Sequence, residues 1–494
     1  MMRRVPASLP ARSPSFVAPA ALLASLAGCA DVEEPLPEPT IEWAECPGSA
    51  AVECGTLVVP RDHGDPYGPT FDLPVVRRPA PDPAERIGSI VFNPGGPGSS
   101  GASFARATWI ILPPALRDRF DIVGFDPRGV AGSTPAIDCV DDLAPFAALD
   151  PTPDDEAERE ALVAESRALA DGCLERSGEI LRFVGTDSIV RDMDLLRRAL
   201  GDEKLTYVGF SYGTFFGALY ADTFPERVRA LVLDAVVDPA QTAEDLIVGQ
   251  ALGFEEELSA FLDACASDAG CAFFSDGDPA AAYDEVQAAV EAWPLPAGDR
   301  ELGPGELSYG VAAALYRPGK WSQLAAALAA ARDGDGSGLM ALADGYLGRR
   351  EDGRYDDVLD VYYAVTSIDT SSSRDPAHIG KLAAEVQEKA PRIGAYLPYS
   401  MLPSALWPVE PWRQAGPVSA RGVAPVLLVA GTHDPATPYA SAVSVQRQLP
   451  GSVLLTRDAH GHTSFLAGSE CVDEAVTEYL VDLKLPAVGT VCVD

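Results

Sequence analysis

LTYVGFSYGTFFGALYADTF, residues 205–224, joins a strand-like run to a helix-like run through Gly209-Phe210-Ser211-Tyr212-Gly213. Leu205 to Val208 carry the branched and aromatic side chains that suit a buried strand. Small residues on both sides of Phe210-Ser211-Tyr212 let the chain turn sharply from strand into helix. A serine held on such a turn has its hydroxyl pushed clear of the sheet. The amino end of the following helix also favours negative charge beside that hydroxyl. Alone, a G-x-S-x-G sequence is weak evidence, because small residues often co-occur. Between a strand and a helix it marks Ser211 as a candidate nucleophile.

A serine hydroxyl needs a base to take its proton, and the base needs a carboxylate to orient it. On this kind of sheet both follow the serine along the chain, acid before base. Asp434 stands where APVLLVAGTHD, residues 424–434, runs off a strand into Pro435. After the next strand, Ser452 to Arg457, two of the chain's five histidines flank Gly461. A metal clip at His460 and His462 would need further ligands. The nearest, Asp458 and His433, follow no ligand spacing, so no metal and no cofactor are expected. Side chains two residues apart point in different directions, so at most one imidazole reaches Ser211. Gly461 lets the loop turn sharply ahead of His462. His462 is therefore the expected base, and His460 a loop or pocket-wall residue.

The anionic oxygen of a tetrahedral intermediate needs backbone donors. The candidates are the N–H of Tyr212, directly after the nucleophile, and that of Gly96 in NPGGPGSSG, residues 93–101. Missing side chains there let the backbone approach a substrate closely. A phosphate cradle is the rival reading of this loop, but the chain has no G-x-x-x-x-G-K-[ST] sequence.

Outward from these motifs, apolar runs alternate with longer segments, the pattern of a mainly parallel α/β sheet with helical crossovers. Ser89–Phe92, Asp121–Phe125, the run before Ser211 and RVRALVLDA (227–235) supply strands. TDSIVRDMDLLRRALG (186–201) is a helix that Thr186 or Asp187 can cap and Gly201 can end. Its Ile189, Met193, Leu196 and Leu200 repeat at helical spacing and should face the sheet. After Pro239 the chain turns rich in alanine, acidic residues and aromatics, until strand sequence returns beyond Gly416. The expected organisation is a sheet in two parts, 42–239 and 417–494, interrupted by a helical insertion at 240–416.

The formal charge of −36 describes a surface that repels nucleic acid, so no nucleic-acid partner is expected. At the amino terminus Arg3, Arg4 and Arg12 precede an apolar run from about Phe16 to Gly28. This is the layout of an export signal, and it is short for a permanent membrane span. Leu26-Ala27-Gly28-Cys29 resembles a bacterial lipobox, with Cys29 as the lipidated residue after removal of 1–28. Membrane attachment is expected only through that lipid, with the acidic, proline-rich stretch 30–41 as a tether. The remaining eight cysteines suit an exported, oxidised protein. Their order suggests Cys46–Cys54, Cys139–Cys173, Cys265–Cys271 and Cys471–Cys492, although sequence does not fix connectivity.

NPGGPGSSG, DIVGFDPRGVAGSTP, YVGFSYGT, GTHDPATP and HGHTSF occur here in a familiar order. It is that of secreted α/β-hydrolase peptidases related to tripeptidyl aminopeptidases and proline iminopeptidases. From about residue 42 to 494 the chain resembles that family. The resemblance implies an α/β-hydrolase fold with a large helical lid and a C-terminal segment of the tripeptidyl-aminopeptidase type. It implies an exported serine exopeptidase of the bacterial envelope or medium, releasing short peptides or single residues from free amino termini. Ser211, Asp434 and His462 would form its triad. Many relatives begin the oxyanion loop with His-Gly-Gly-Pro-Gly, whereas this chain has Pro94-Gly95-Gly96-Pro97-Gly98, so Gly96 is assigned by position. A free amine needs an acidic partner, and the lid offers Glu255 and Glu256 in the run 255–257, and Asp369 in AVTSIDT. The same triad would cleave esters, so a carboxylesterase is the alternative. A non-catalytic envelope binding protein would be expected to have lost a triad residue, and none is lost.

Overall fold

The computed structural model describes residues 38–413 and 415–493. Cys29, the export signal and most of the tether lie outside them. Along the chain run β1 (Ala44–Cys46), β2 (Ser49–Pro60), β3 (Thr70–Arg78), β4 (Gly88–Asn93), β5 (Phe120–Phe125) and β6 (Leu205–Phe210). They are followed by β7 (Val228–Asp234), β8 (Leu295–Ala297), β9 (Arg300–Leu302), β10 (Leu427–His433), β11 (Val453–His460) and β12 (Val491–Val493). Among the described residues, all but β8 and β9 form one sheet in the order β1-β2-β3-β5-β4-β6-β7-β10-β11-β12. The pairs from β1 to β5 are antiparallel, and those from β5 to β12 are parallel.

Strands β4, β5 and β6 are buried at every position, which explains their unbroken apolar sequences: helices cover both faces. Val91, Tyr207 and Leu231 point into one core, while Ile90, Val208 and Val232 point into another on the opposite face. Within the first part, 42–239, the first strand named from sequence is Ser89–Phe92, and the structure adds β1 to β3 before it. Polar residues, and Pro74 within β3, interrupt the apolar signal there. Helix 186–199 buries Ile189, Met193 and Leu196 as expected, but its N-cap is Gly185 without a side-chain bond. Thr186 is engaged elsewhere, donating its N–H and hydroxyl to Asp369.

Strand β4 lies between β5 and β6, so the chain leaves β4 toward one side and returns on the other. Loops leaving two such strands diverge and open a crevice at their carboxyl ends. Register places Asn93 beside Gly209, and Phe210 beside Asp234. The glycine loop, the serine turn and the end of β7 therefore meet at one edge.

Between β7 and β10 the chain forms mainly helices, including Ala243–Ala266, Pro304–Leu315, Trp321–Arg332 and Val358–Asp369, with β8 and β9 as a small hairpin. Leu258, Phe261, Tyr283, Val311 and Leu328 belong to a separate apolar core within this insertion. A further excursion, between β5 and helix 186–199, carries helix Glu156–Ser177 and the short turn Ala144–Ala147. Disulfides join Cys46–Cys54, Cys139–Cys173, Cys265–Cys271 and Cys471–Cys492. The second of them ties this excursion together.

The Asp126-Pro127-Arg128-Gly129 run after β5 is structural. Arg128 is fully buried, and its Nε and Nη2 donate to the Asp192 carboxylate at 2.7 and 2.6 Å. Its remaining N–H groups donate to the carbonyls of Pro60, Arg61 and Phe183. Arg128→Ala leaves the Asp192 carboxylate buried with His63 as its remaining side-chain partner. The expected cost is about 3–5 kcal/mol, read as a lower urea midpoint. A loss below about 1 kcal/mol contradicts this reading of the pair.

Candidate active site

Ser211 adopts φ 52° and ψ −125°, between β6 and helix Tyr212–Thr223. Residues with a Cβ rarely populate that region, and such strain collects at functional turns. The flanking glycines make the turn possible. A Cβ on Gly209 would stand 2.4 Å from the Gly213 carbonyl oxygen, and one on Gly213 would stand 2.7 Å from Asn93 Oδ1. The Tyr207 hydroxyl donates to the Gly213 carbonyl at 2.7 Å, and the Ser211 N–H donates to the Asp234 carbonyl at 2.9 Å. The serine is thus braced on both sides. One turn along the helix, a Cβ on Gly217 would meet Leu233 Cδ2 at 2.4 Å, so this glycine sets how closely the helix packs on β7.

The glycine loop lies directly against this turn. A Cβ on Gly95 would be 2.4 Å from the Phe210 carbonyl oxygen and 2.8 Å from Tyr212 N. The Gly95 N–H is occupied by Asn93 Oδ1 at 2.9 Å, while Gly96 lines the same cavity as Ser211. Downstream, Asp126 Oδ1 accepts the Ser100 hydroxyl at 2.6 Å and the Ala102 N–H at 3.1 Å, fixing the loop where it enters its helix.

Asp434 follows the last residue of β10 and is almost fully buried. Its Oδ1 accepts the N–H groups of Ala436 and Thr437 at 3.0 and 2.9 Å, and its Oδ2 the Thr437 hydroxyl at 3.0 Å. His462 Nδ1 lies 2.8 and 2.9 Å from the two oxygens. A ring nitrogen that close to a carboxylate carries the proton, which leaves Nε2 as the basic atom. Gly461, at φ 97°, donates its N–H to the His433 carbonyl at 3.2 Å, and the His462 N–H goes to the Tyr316 carbonyl at 2.8 Å. A Cβ on Gly461 would strike Pro318 Cδ at 2.7 Å. The histidine loop is therefore pinned against Tyr316 and Pro318 of the insertion.

Asp234, at the end of β7, links the two halves of the site and escaped the sequence reading. Its carbonyl holds the Ser211 N–H, and its carboxylate accepts the N–H groups of Ser464 and Phe465 at 2.9 and 2.7 Å. Burial pushes its carboxyl up to about 7, against these hydrogen bonds, which pull it down. The available clue was an ionisable residue at the carboxyl end of a fully apolar strand.

The other candidate acids stand elsewhere. Asp369 is fully buried behind the serine turn, and neither it, Glu255 nor Glu256 lines the cavity. Its oxygens accept the Thr186 N–H, the Thr186 hydroxyl, Trp412 Nε1 at 2.6 Å and the Tyr212 hydroxyl at 2.9 Å. Burial raises its carboxyl to about 6. It braces the first helical residue after Ser211. Glu255 accepts the backbone N–H groups of Arg392 and Gly394 at 3.1 and 3.2 Å. Glu256 pairs with His433 Nδ1 at 2.9 Å. The structure thus places all three acids, expected to meet a substrate amine, on other partners and off the wall of the cavity that holds Ser211. His460 pairs with the buried Glu257 at 2.8 Å and stacks on His433, its ring centroid 4.5 Å away, so it faces the insertion and not Asp434.

Ser211, Gly96 and His462 line a cavity of about 430 Å³. Its far walls are tyrosines of the insertion, among them Tyr309, Tyr346, Tyr362 and Tyr396, together with Phe146 and Leu149 from the earlier excursion. Among its lining residues there is no Asp, Glu, Lys or Arg. The family described as alpha/beta hydrolase fold matches residues 88–293, and that described as TAP-like protein matches residues 390–492. Serine protease Hip1 of Mycobacterium tuberculosis is 37% identical over 517 residues, covering 97% of each chain. Carboxylesterase B of the same species is 36% identical over 487 residues, covering 93% of this chain and 91% of its own. Tripeptidyl aminopeptidase of Streptomyces lividans is 33% identical over 474 residues, covering 92% of this chain and 86% of its own.

Proposed function

Because this chain belongs to the α/β-hydrolase family, with a TAP-like carboxyl-terminal part, and is a serine hydrolase, we propose that it is an exopeptidase. Its nucleophile is Ser211, which releases short peptides or single residues from free amino termini. Ser211 Oγ attacks the carbonyl while its proton passes to His462 Nε2. Asp434 holds the imidazolium through Nδ1. The oxyanion receives the N–H groups of Tyr212 and Gly96. On collapse, His462 gives the proton to the departing amine, and water then releases the acyl group by the reverse sequence. The Ser211–His462 hydrogen bond forms with the substrate in place, as such bonds commonly do.

The observation that carries this reading is the shared cavity. Nucleophile, base and oxyanion loop open into one space, roofed by the insertion, whose volume lies within the ~300–1,000 Å³ usual for ligand pockets. An acyl group that must fit beneath that roof is the end of a chain, not the middle of a folded protein. The four disulfides support export, and the lipobox-like sequence ending at Cys29 supports lipid attachment there.

A carboxylesterase is the second reading, favoured by the carboxylesterase B relative. Mixed peptides with free or blocked amino termini, digested in parallel and weighed by mass spectrometry, separate the two. The exopeptidase trims only the free set, and the mass differences give its step. Hydrolysis of simple esters with neither peptide set trimmed establishes the esterase.

A further inference from the structure

His462 lines two spaces. Beside the roofed cavity lies a larger groove of about 1,040 Å³, and Pro94, Ser99, Tyr316 and His462 border both. Ser211 and Gly96 line only the roofed cavity, whereas His460, Gly461 and Thr463 line only the groove. A base that takes a proton from the nucleophile and gives it to the leaving amine has acyl group and leaving group on its two sides. The nucleophile and oxyanion loop put the acyl group beneath the roof, so the leaving peptide passes into the groove.

The chemistry of the groove differs from that of the cavity. Arg317 and Arg457 line it, and no Asp or Glu does. That is unusual on a chain with 73 acidic residues against 37 Lys and Arg, whose average surface would repel an anion. Arg317 is exposed, makes no ion pair among the described residues, and directly follows Tyr316, whose carbonyl holds the His462 N–H. In the same groove, Phe104 and the half-exposed Ile111 add apolar lining.

We propose that this groove is the leaving-peptide site, and that Arg317 selects leaving peptides bearing a carboxylate near the cut. The inference rests on the exopeptidase reading and deepens it. Its ligand chemistry is a carboxylate from either of two sources, the terminus of a short oligopeptide or an Asp or Glu side chain. Short, free oligopeptides are then better substrates than the amino termini of long chains, unless acidic residues follow the cut.

The test uses the whole enzyme and three substrates with one common acyl part. Their leaving peptides end in a free carboxylate, end in an amide, or end in an amide and contain Glu. The readout is the ratio of kcat/KM for each carboxylate-bearing substrate to that of the plain amide, taken on the same protein, so a general loss of activity cancels. The expected ratio in the unmodified enzyme is about fivefold at low salt, shrinking as added salt screens the pair. Arg317→Ala brings the ratio near one, and Arg317→Lys retains most of it. The free-acid and Glu substrates tell which carboxylate is read. A ratio of one in the unmodified enzyme, or a ratio unchanged in Arg317→Ala, overturns the proposal while peptide trimming itself continues. Failure to cut any of the three substrates, with esters still hydrolysed, overturns the exopeptidase reading and this inference with it.

Discussion

Ser211→Ala lowers turnover by about 10⁴- to 10⁶-fold and abolishes labelling by a serine-reactive phosphonate. Some catalysis over water survives, because the N–H groups of Tyr212 and Gly96 still meet the oxyanion. Stability hardly moves. Ser211 Oγ makes no hydrogen bond among the described residues, and the backbone keeps its φ of 52° whichever side chain it carries. The turn is held by bonds that do not involve the hydroxyl: Tyr207 to the Gly213 carbonyl, and the Ser211 N–H to Asp234. The melting temperature of the variant should match the parent, a shift equivalent to less than about 0.5 kcal/mol. More than about a hundredth of parental turnover in a folded variant rules Ser211 out as the nucleophile.

The second large effect separates the two histidines of RDAHGHTSF. His462→Gln lowers turnover by about 10⁴- to 10⁶-fold, whereas His460→Gln costs less than about tenfold. The reason is geometric. His462 Nδ1 meets Asp434, while His460 Nδ1 meets Glu257, a carboxylate 1% exposed in the insertion. Removing the His460 imidazole weakens the partner of a buried acid and costs about 1–3 kcal/mol of stability. His460→Gln should therefore shift the melting curve and spare chemistry, whereas His462→Gln removes chemistry with a smaller melting shift, because Asp434 keeps its bonds from Ala436 and Thr437. Turnover and melting temperature measured on both variants check this, and equal losses of turnover would contradict it.

Local chain chemistry made much of the site legible. Glycines at 209 and 213 around a serine, between a strand and a helix, describe a turn whose geometry depends on a few neighbouring residues. Asp434 and His462 are expected by the same logic, because each follows a parallel strand and such ends gather at one edge, and their side chains do meet there. The choice between His460 and His462 followed from Gly461, whose φ of 97° and close approach to Pro318 both exclude a side chain. Strands β1 to β3, at one end of the sheet, were less visible, since β3 alternates exposed and buried residues over its first half and carries Pro74.

Carboxylates marked the boundary. Asp369 sits in a mild apolar stretch that reads equally well as a pocket wall or as core. What hides it is Thr186, 183 residues earlier, and Trp412, 43 residues later. Asp234 received no attention as the last residue of an ordinary strand, yet it ties the serine turn to a loop 230 residues away. Backbone torsions and side-chain alternation respond to neighbours a few positions off, so strands, turns and the candidate nucleophile's turn could be read in one dimension. Whether an acid faces substrate, solvent or a hidden hydroxyl depends on which remote segment closes over it, and only the folded chain brings that segment there.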